Sequence, residues 1–157
     1  MTKGRSPIQN QGFVVIDLHN TRMKVKSMPY TMLAELEQEN KFASVKNKER
    51  NYLFLVRTTY YEAEKFVKYY PMFKDWYLHV FKLFTSLCEK VDGICLPIRH
   101  MENQAEFAKL VPKVAFANLI FVLKRNPQFT NTASYLCDTK WLDDTRGTRS
   151  LETTLFQ

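Results

Sequence analysis

The spacing of the apolar residues changes at Ser27, and this change most constrains the fold. Before it, residues 13–18 are rich in β-branched and aromatic side chains, which predicts a strand buried on both faces. Residues 21–26 alternate and predict a second strand. After Ser27, apolar side chains recur every three or four residues, as on one face of a helix. The sequence therefore predicts a mainly α protein: a helical bundle preceded by a short two-stranded β segment.

The clearest predicted helix runs over residues 71–91, where an apolar stripe has helical spacing. The stripe comprises Trp76, Val80, Leu83, Phe84, Leu87 and Val91. The segment "GICLPIRHM" (93–101), which begins with Gly93, predicts a loop, and Asn103 predicts a helix N-terminus. "TYYE" at residues 59–62 has the form of a capping box. Other helices are predicted over 27–42, 48–57, 59–70, 103–112, 114–123 and 132–142.

The composition excludes several classes of protein. No run of 18 apolar residues is present, so no membrane-spanning helix is expected, and the first residues lack the apolar core of a signal peptide. These features predict an intracellular protein. The three cysteines, Cys88, Cys95 and Cys137, have no zinc-site spacing, so we expect packed thiols and no metal site.

Positive charge is concentrated at the start of the chain, whose formal net charge is +7. Residues 1–26 carry five basic side chains against one acidic one. On the second predicted strand, Lys24 and Lys26 share one face, while Met23 and Val25 share the other. Two ammonium groups repel each other at this spacing, and a bound anion would relieve the repulsion. The alternative is an edge strand that carries lysines to prevent aggregation.

Two segments of this region resemble motifs of a known superfamily. "QGFVVID" (11–17) and "RMKVKSMPY" (22–30) resemble motifs IV and V of the covalent nucleotidyltransferases, which include ligases and capping enzymes. The "KVKS…Y" form, leading directly into helices, is similar to ATP-dependent RNA ligases of the phage tRNA-repair type. Two later segments, "EAEKFVKYYPMFKDWYLHVFKLFTSLCEKVDGI" and "QAEFAKLVPKVAFANLIFVLKRNP", resemble the helical C-terminal domain of that family. The resemblance covers about residues 10–142.

The resemblance implies roles for four residues and for two domains. Lys24 and Lys26 would contact nucleotide phosphates and stabilise charge during adenylyl transfer, and Gln11 and Gly12 would lie at the nucleotide site. Residues 1–26 would end the nucleotidyltransferase domain, and residues 27–144 would form an all-helical domain that confers specificity for a tRNA-like RNA. Gln11 stands where the family has a metal-organising Glu, and an amide is a poorer ligand for a hard cation.

The family's nucleophilic lysine stands in a Lys-x-Asp-Gly motif upstream of motif IV, and no such motif precedes Gln11 in this sequence. The resemblance therefore implies a C-terminal piece that needs an N-terminal nucleotidyltransferase half, with ATP and Mg²⁺ as cofactors of the complete enzyme. We expect no activity and no cofactor for this piece alone. The alternative is a non-enzymatic helical module that binds RNA or a protein, such as a viral polyprotein product.

Four further basic residues on predicted helices are candidate contacts for an RNA backbone: Arg50, Arg57, Lys65 and Lys68.

The last residues differ in character from the rest. "LETTLFQ" (151–157) resembles the recognition sequence of picornaviral 3C proteases, which cut after Gln, and it follows "GTRS". We interpret residues 145–157 as a tag or protease-site remnant without ordered structure. The competing interpretation is a natural polyprotein terminus at Gln157.

Overall fold

The computed structural model describes residues 12–26, 28–39, 45–138 and 145–157. The chain divides into two compact units, Met1–Tyr77 and Leu78–Gln157. The first contains strands β1 (Gly12–Ile16) and β2 (Arg22–Lys26), then helices α1 (Met28–Glu39), α2 (Val45–Thr59), α3 (Ala63–Tyr69) and the start of α4 (Lys74–Ile98). The second contains the rest of α4, then α5 (Gln104–Leu110), α6 (Ala117–Arg125), α7 (Thr132–Leu136) and α8 (Thr145–Phe156). The predicted class, mainly α after a short β hairpin, is confirmed.

The hairpin is antiparallel and its turn is built by Asp17 and Asn20. Val14 lies opposite Lys24, and the Asn20 amide donates to the Asp17 carbonyl at 3.0 Å. Asn20 has a φ of 63°, the left-handed conformation that Asn tolerates. The Asp17 side chain accepts hydrogen bonds from the amides of His19 and Thr21, both at 2.8 Å. These amides, that of Thr21 most, lower the pKa of the Asp17 carboxyl because they favour its charged form.

The first unit has an aromatic core on α2, α3 and the start of α4. The Phe66 ring stacks on the Tyr77 ring with centroids 4.3 Å apart. The Tyr77 hydroxyl lies 2.7 Å from the Thr59 hydroxyl, which in turn donates to the Leu55 carbonyl at 2.6 Å. Thr59 therefore does not cap a helix, and the predicted capping box is wrong. The core consists of Leu33, Leu36, Tyr52, Leu53, Leu55, Val56, Phe66, Phe73 and Tyr77.

The second unit is built around α4, whose predicted apolar stripe is largely buried. Val80, Phe84, Leu87 and Val91 are all in the core. The predicted loop after Gly93 is wrong, because α4 continues to Ile98 with Pro97 in its last turn. Cys95 lies four residues after Val91 and extends the buried stripe, so packing favours a longer helix. The helices that follow supply further buried side chains: Phe107 from α5, Ile120 and Leu123 from α6, and Ala133 and Leu136 from α7.

Two of the three cysteines are packed in this core. Cys88 and Cys95 are buried free thiols, as the sequence predicts, and Cys137 is half-buried. Burial raises the pKa of the Cys88 thiol to about 12, so it remains protonated at neutral pH.

Polar caps fix the shorter helices. Asn103 caps α5 as predicted, since its side chain accepts from the amides of Ala105 and Glu106. Asn131 and Ser134 form a capping box at α7. The Asp92 carboxylate on α4 accepts from both the amide and the hydroxyl of Thr132, at 2.8 and 2.5 Å, and so joins α7 to α4. The predicted helix over 132–142 ends at Leu136, and residues 139–144 lie outside the described residues.

The segment expected to lack structure forms α8. Leu151 is buried, with 2% exposure, and Leu155 is half-buried one turn later. The expectation of no ordered structure in residues 145–157 is wrong, because the two leucines have helical spacing and give the segment an apolar side. The interpretation of this segment as a tag or protease-site remnant remains a prediction.

None of the described helices is long and apolar enough to cross a membrane.

Candidate functional site

The hairpin carries three cations on one face. Arg22, Lys24 and Lys26 alternate along β2, so their side chains emerge on the same side of the ribbon, and all three are exposed. Consecutive members of the row are separated by two residues, or about 7 Å along the strand. The cross-strand neighbours on this face are Ile16, Val14 and Gly12, which bring no charge. The predicted pairing of Lys24 and Lys26 on one strand face is thus present.

One of these lysines is held by the helix that follows. The Lys26 ammonium lies 5.8 Å from the centroid of the Tyr30 ring, in the first turn of α1. A cation over an aromatic ring at this distance is weakly attracted to it. For Lys24 the described residues include no partner. Tyr30 therefore orients Lys26, whereas Lys24 is directed at solvent.

Gly12 has a backbone role that the resemblance alone does not reveal. Its φ is +135°, a conformation that side chains rarely allow, and an added Cβ would lie 1.9 Å from the Val25 carbonyl oxygen. Only glycine lets β1 pair with β2 at Lys26, the last residue of the cationic row. Gln11, the other residue predicted for this site, lies outside the described residues.

We expect Gly12→Ala to break the pairing of Gly12 with Lys26 and to loosen the open end of the hairpin. The overlap with Val25 and the strained φ both oppose the native conformation. Amide chemical shifts of β1 and β2 should move toward unpaired values. Gly93→Ala is the matched control, because an added Cβ there meets nothing within 4 Å and alanine favours the helix. Unchanged hairpin shifts in Gly12→Ala would contradict the assigned role.

The hairpin exposes apolar side chains on both faces. Val15, Met23 and Val25, on the face opposite the lysines, are 48%, 60% and 44% exposed. Val14 and Ile16, on the lysine face, are 59% and 54% exposed. The prediction that the first strand is buried on both faces is therefore wrong for this chain. The sheet has two strands, and a two-stranded hairpin with no further layer is marginal in water.

The four predicted RNA contacts occupy different environments. Arg50, Lys65 and Lys68 are exposed on α2 and α3, and Lys65 lies 3.3 Å from the Glu62 carboxylate. Arg57 is buried, with 4% exposure, which leaves its guanidinium no surface for an RNA backbone. Its position four residues after the buried Leu53 places it on the inner face of α2.

The donor chemistry of the hairpin fits phosphate better than a metal ion. Its three exposed cations suit the oxygen atoms of a nucleotide's phosphates. Its one carboxylate, Asp17, is engaged by the amides of its own turn. Within the described ranges, no three His, Cys, Asp or Glu side chains are grouped so as to hold a metal. A divalent ion would have to be held by groups other than these.

Comparisons with protein-family models, with curated proteins and with solved structures found no match. A function for this chain is therefore inferred from its own residues.

Proposed function

We propose that this chain is the C-terminal part of an ATP-dependent RNA ligase. In the complete enzyme, Lys24 and Lys26 contact the phosphates of ATP and stabilise the charge that develops during adenylyl transfer to an enzyme lysine. The observation that carries this proposal is the exposed row of Arg22, Lys24 and Lys26 on a single strand face. Fixed cations aimed at a developing phosphoryl charge are a general means of lowering such a barrier.

The apolar surface of the hairpin supports the proposed partner domain. Val14, Val15, Ile16, Met23 and Val25 are each more than 40% exposed, although side chains of this kind favour a packed sheet. An N-terminal nucleotidyltransferase half would add strands and a packing layer, and the lysine face would then look into its ATP site. Mg²⁺ would be held by groups of that half.

The helices after Ser27 would then select the RNA, which we propose is tRNA-like. Exposed basic residues on them, including Arg50 and Lys68, suit contacts to the RNA backbone.

A second candidate is a helical module that binds RNA or protein without chemistry. It is favoured by one observation: no Lys-x-Asp-Gly motif precedes Gln11, and the match at Lys90 to Gly93 lies inside α4, where Asp92 accepts hydrogen bonds from Thr132. In that case the cationic row binds a polyanion and no covalent intermediate forms.

Incubation with radiolabelled ATP and Mg²⁺ tests the proposal. We expect this chain alone to form no covalent lysyl-adenylate, because no Lys-x-Asp-Gly motif precedes its motif IV and the match at Lys90 to Gly93 lies within α4. We expect a lysyl-adenylate from the product of the reading frame that continues upstream of Gln11, which should encode a Lys-x-Asp-Gly motif. Label that survives denaturation of this chain alone would mean that the active site has been misplaced. An upstream sequence that lacks the motif would leave the binding module as the function.

A further inference from the structure

A second group of basic residues, three of them charged, lies in the Leu78–Gln157 unit, where the ends of α4 and α6 meet. We call it the α4–α6 junction, and it consists of Arg99, His100, Lys124 and Arg125. Arg99 and His100 directly follow α4, and Lys124 and Arg125 end α6. The two pairs are 25 residues apart in the chain, but hydrogen bonds connect them in the structure.

Arg99 is held by the chain that follows α6. Its guanidinium donates to the Phe129 carbonyl at 2.6 Å and to the Asn126 carbonyl at 2.7 Å. The side chain is half-buried. Both acceptors are neutral main-chain groups, so they fix the position of the guanidinium without cancelling its charge.

Lys124 is held in the same way from the opposite side. Its ammonium donates to the carbonyl of Met101 and, at 3.4 Å, to that of Arg99. It also lies 4.3 Å from the centroid of the Phe107 ring. These groups too are neutral. Two half-buried cations are therefore fixed at one place by main-chain and aromatic groups alone.

The two exposed residues of the junction are adjacent in sequence to Arg99 and Lys124, whose side chains are fixed. His100 lies between Arg99 and Met101, and Arg125 lies between Lys124 and Asn126. In each case a neighbouring residue takes part in the hydrogen bonds just described. Both side chains are exposed. Their Cα positions are therefore fixed while their polar ends face water.

Nearby carboxylates form no ion pair with the charged side chains of the junction. Among the described residues, none lies within ion-pair distance of Arg99, Lys124 or Arg125. Glu102 and Glu106 are exposed on the α4–α5 connection and the first turn of α5. Asp92, about two turns earlier on α4, accepts its hydrogen bonds from Thr132.

The buried thiol of Cys95 responds to the same charges. Its pKa is raised, mainly by burial and also by Asp92, and the positive charges of Arg99 and Lys124 act in the opposite direction.

We propose that the α4–α6 junction binds a backbone phosphate of RNA, with Arg125 and His100 as the direct contacts. Arg99 and Lys124 supply a fixed positive field, and the exposed guanidinium of Arg125 offers the planar fork that suits phosphate oxygens. This inference rests on the proposed RNA partner and places one RNA contact in the second unit. An acidic peptide would meet the same positive field, so the experiment must separate it from RNA.

The test is RNA affinity as a function of salt, measured by anisotropy with a fluorescein-labelled RNA stem-loop shaped like a tRNA anticodon arm. Each phosphate contact contributes about 0.7–0.9 to the slope of log affinity against log salt. We expect Arg125→Gln to reduce that slope by about this amount. Lys90→Gln is the matched control, since Lys90 is exposed on α4 and the change in charge is identical. Arg125→Lys should retain most of the slope, because it keeps the charge.

An equal loss of slope in Arg125→Gln and Lys90→Gln would overturn the inference, as would the absence of RNA binding by the wild-type chain. Displacement of the RNA by polyglutamate at equal charge concentration would overturn the choice of RNA as the ligand. The ligase assignment is tested separately, since adenylylation of the complete enzyme requires no RNA. The complete enzyme could adenylylate itself normally while Arg125→Gln lowers the salt slope of RNA binding no more than Lys90→Gln does. That result would exclude the junction as an RNA site and leave the ligase proposal unaffected.

Discussion

Lys24→Ala and Lys26→Ala are each expected to slow self-adenylylation of the complete ligase by about 10²–10³-fold. Loss of one donor that stabilises transition-state charge typically costs about 2.7–4 kcal/mol. Both ammonium groups lie on the exposed face of β2, where they would meet the phosphates of ATP. Single-turnover formation of the lysyl-adenylate at saturating ATP is the appropriate measurement, because it isolates the chemical step from RNA binding and sealing.

Lys74→Ala is the control for these variants. Lys74 is exposed at the start of α4, and no role is assigned to it. Its substitution by alanine removes the same charge from the same unit. If the lysines of β2 serve only to protect a sheet edge, adenylylation will be unchanged in both variants, and Lys24→Ala will change stability by no more than about 0.5 kcal/mol. Wild-type rates for both variants would therefore rule out the proposed role.

The two lysines differ in one measurable respect. Lys26 contacts the Tyr30 ring, whereas Lys24 has no such partner among the described residues. An exposed cation–aromatic contact contributes about 0.5–1 kcal/mol. Lys26→Ala should therefore lower the free energy of unfolding slightly more than Lys24→Ala, although the two should impair catalysis alike. Catalytic loss without a matching loss of stability is the result that separates function from structure.

Local sequence patterns predicted the parts of the fold that depend on local spacing. Alternation on β2 placed Lys24 and Lys26 on one face, and the period of the stripe from Val80 to Val91 located the core face of α4. Asn103 identified the start of α5, since a side-chain cap is a property of a few consecutive residues. These features require no knowledge of what packs against them.

The errors arise where tertiary packing decides. Pro97 was expected to lie in a loop, but a proline in the last turn is accommodated when burial of Cys95 favours continuing the helix. Thr59 matched the capping-box pattern, but its hydroxyl bonds instead to Leu55 and Tyr77. The burial of Arg57 did have a local signal, namely its position one turn after Leu53 on the apolar side of α2.

The α4–α6 junction had no signal in the sequence. Arg99 and Lys124 are held by main-chain carbonyls that belong to distant segments, and any residue can supply a carbonyl. Neither a motif nor a spacing marks such a contact. Only the structure brings the two ends together, which is why the sequence predicted candidate RNA contacts on α2 and α3 and did not point to the junction.

Phe66→Ala is expected to destabilise the protein by about 3–5 kcal/mol, the usual cost of truncating a buried phenylalanine. Phe66 is 1% exposed, and its ring stacks on that of Tyr77 with centroids 4.3 Å apart. The centroid of the Tyr70 ring lies 5.3 Å from that of Phe66. The Tyr77 hydroxyl is tied to Thr59, so Tyr77 is poorly able to move into the space left by the lost ring. Since a domain of this kind has only about 5–15 kcal/mol of stability, much of it depends on this residue.

Urea denaturation followed by tryptophan fluorescence measures this loss. Trp76 stacks on Tyr52 at 5.9 Å and reports on the first unit, and a Trp141→Phe background removes the other tryptophan. Met72→Ala is the control, because Met72 is 66% exposed and its truncation should cost well under 1 kcal/mol. A midpoint for Phe66→Ala that matches the control would contradict the stacked core. A shifted midpoint with an unchanged denaturant slope would show that the Phe66 contacts stabilise the native state and that the compactness of the unfolded chain is unaltered.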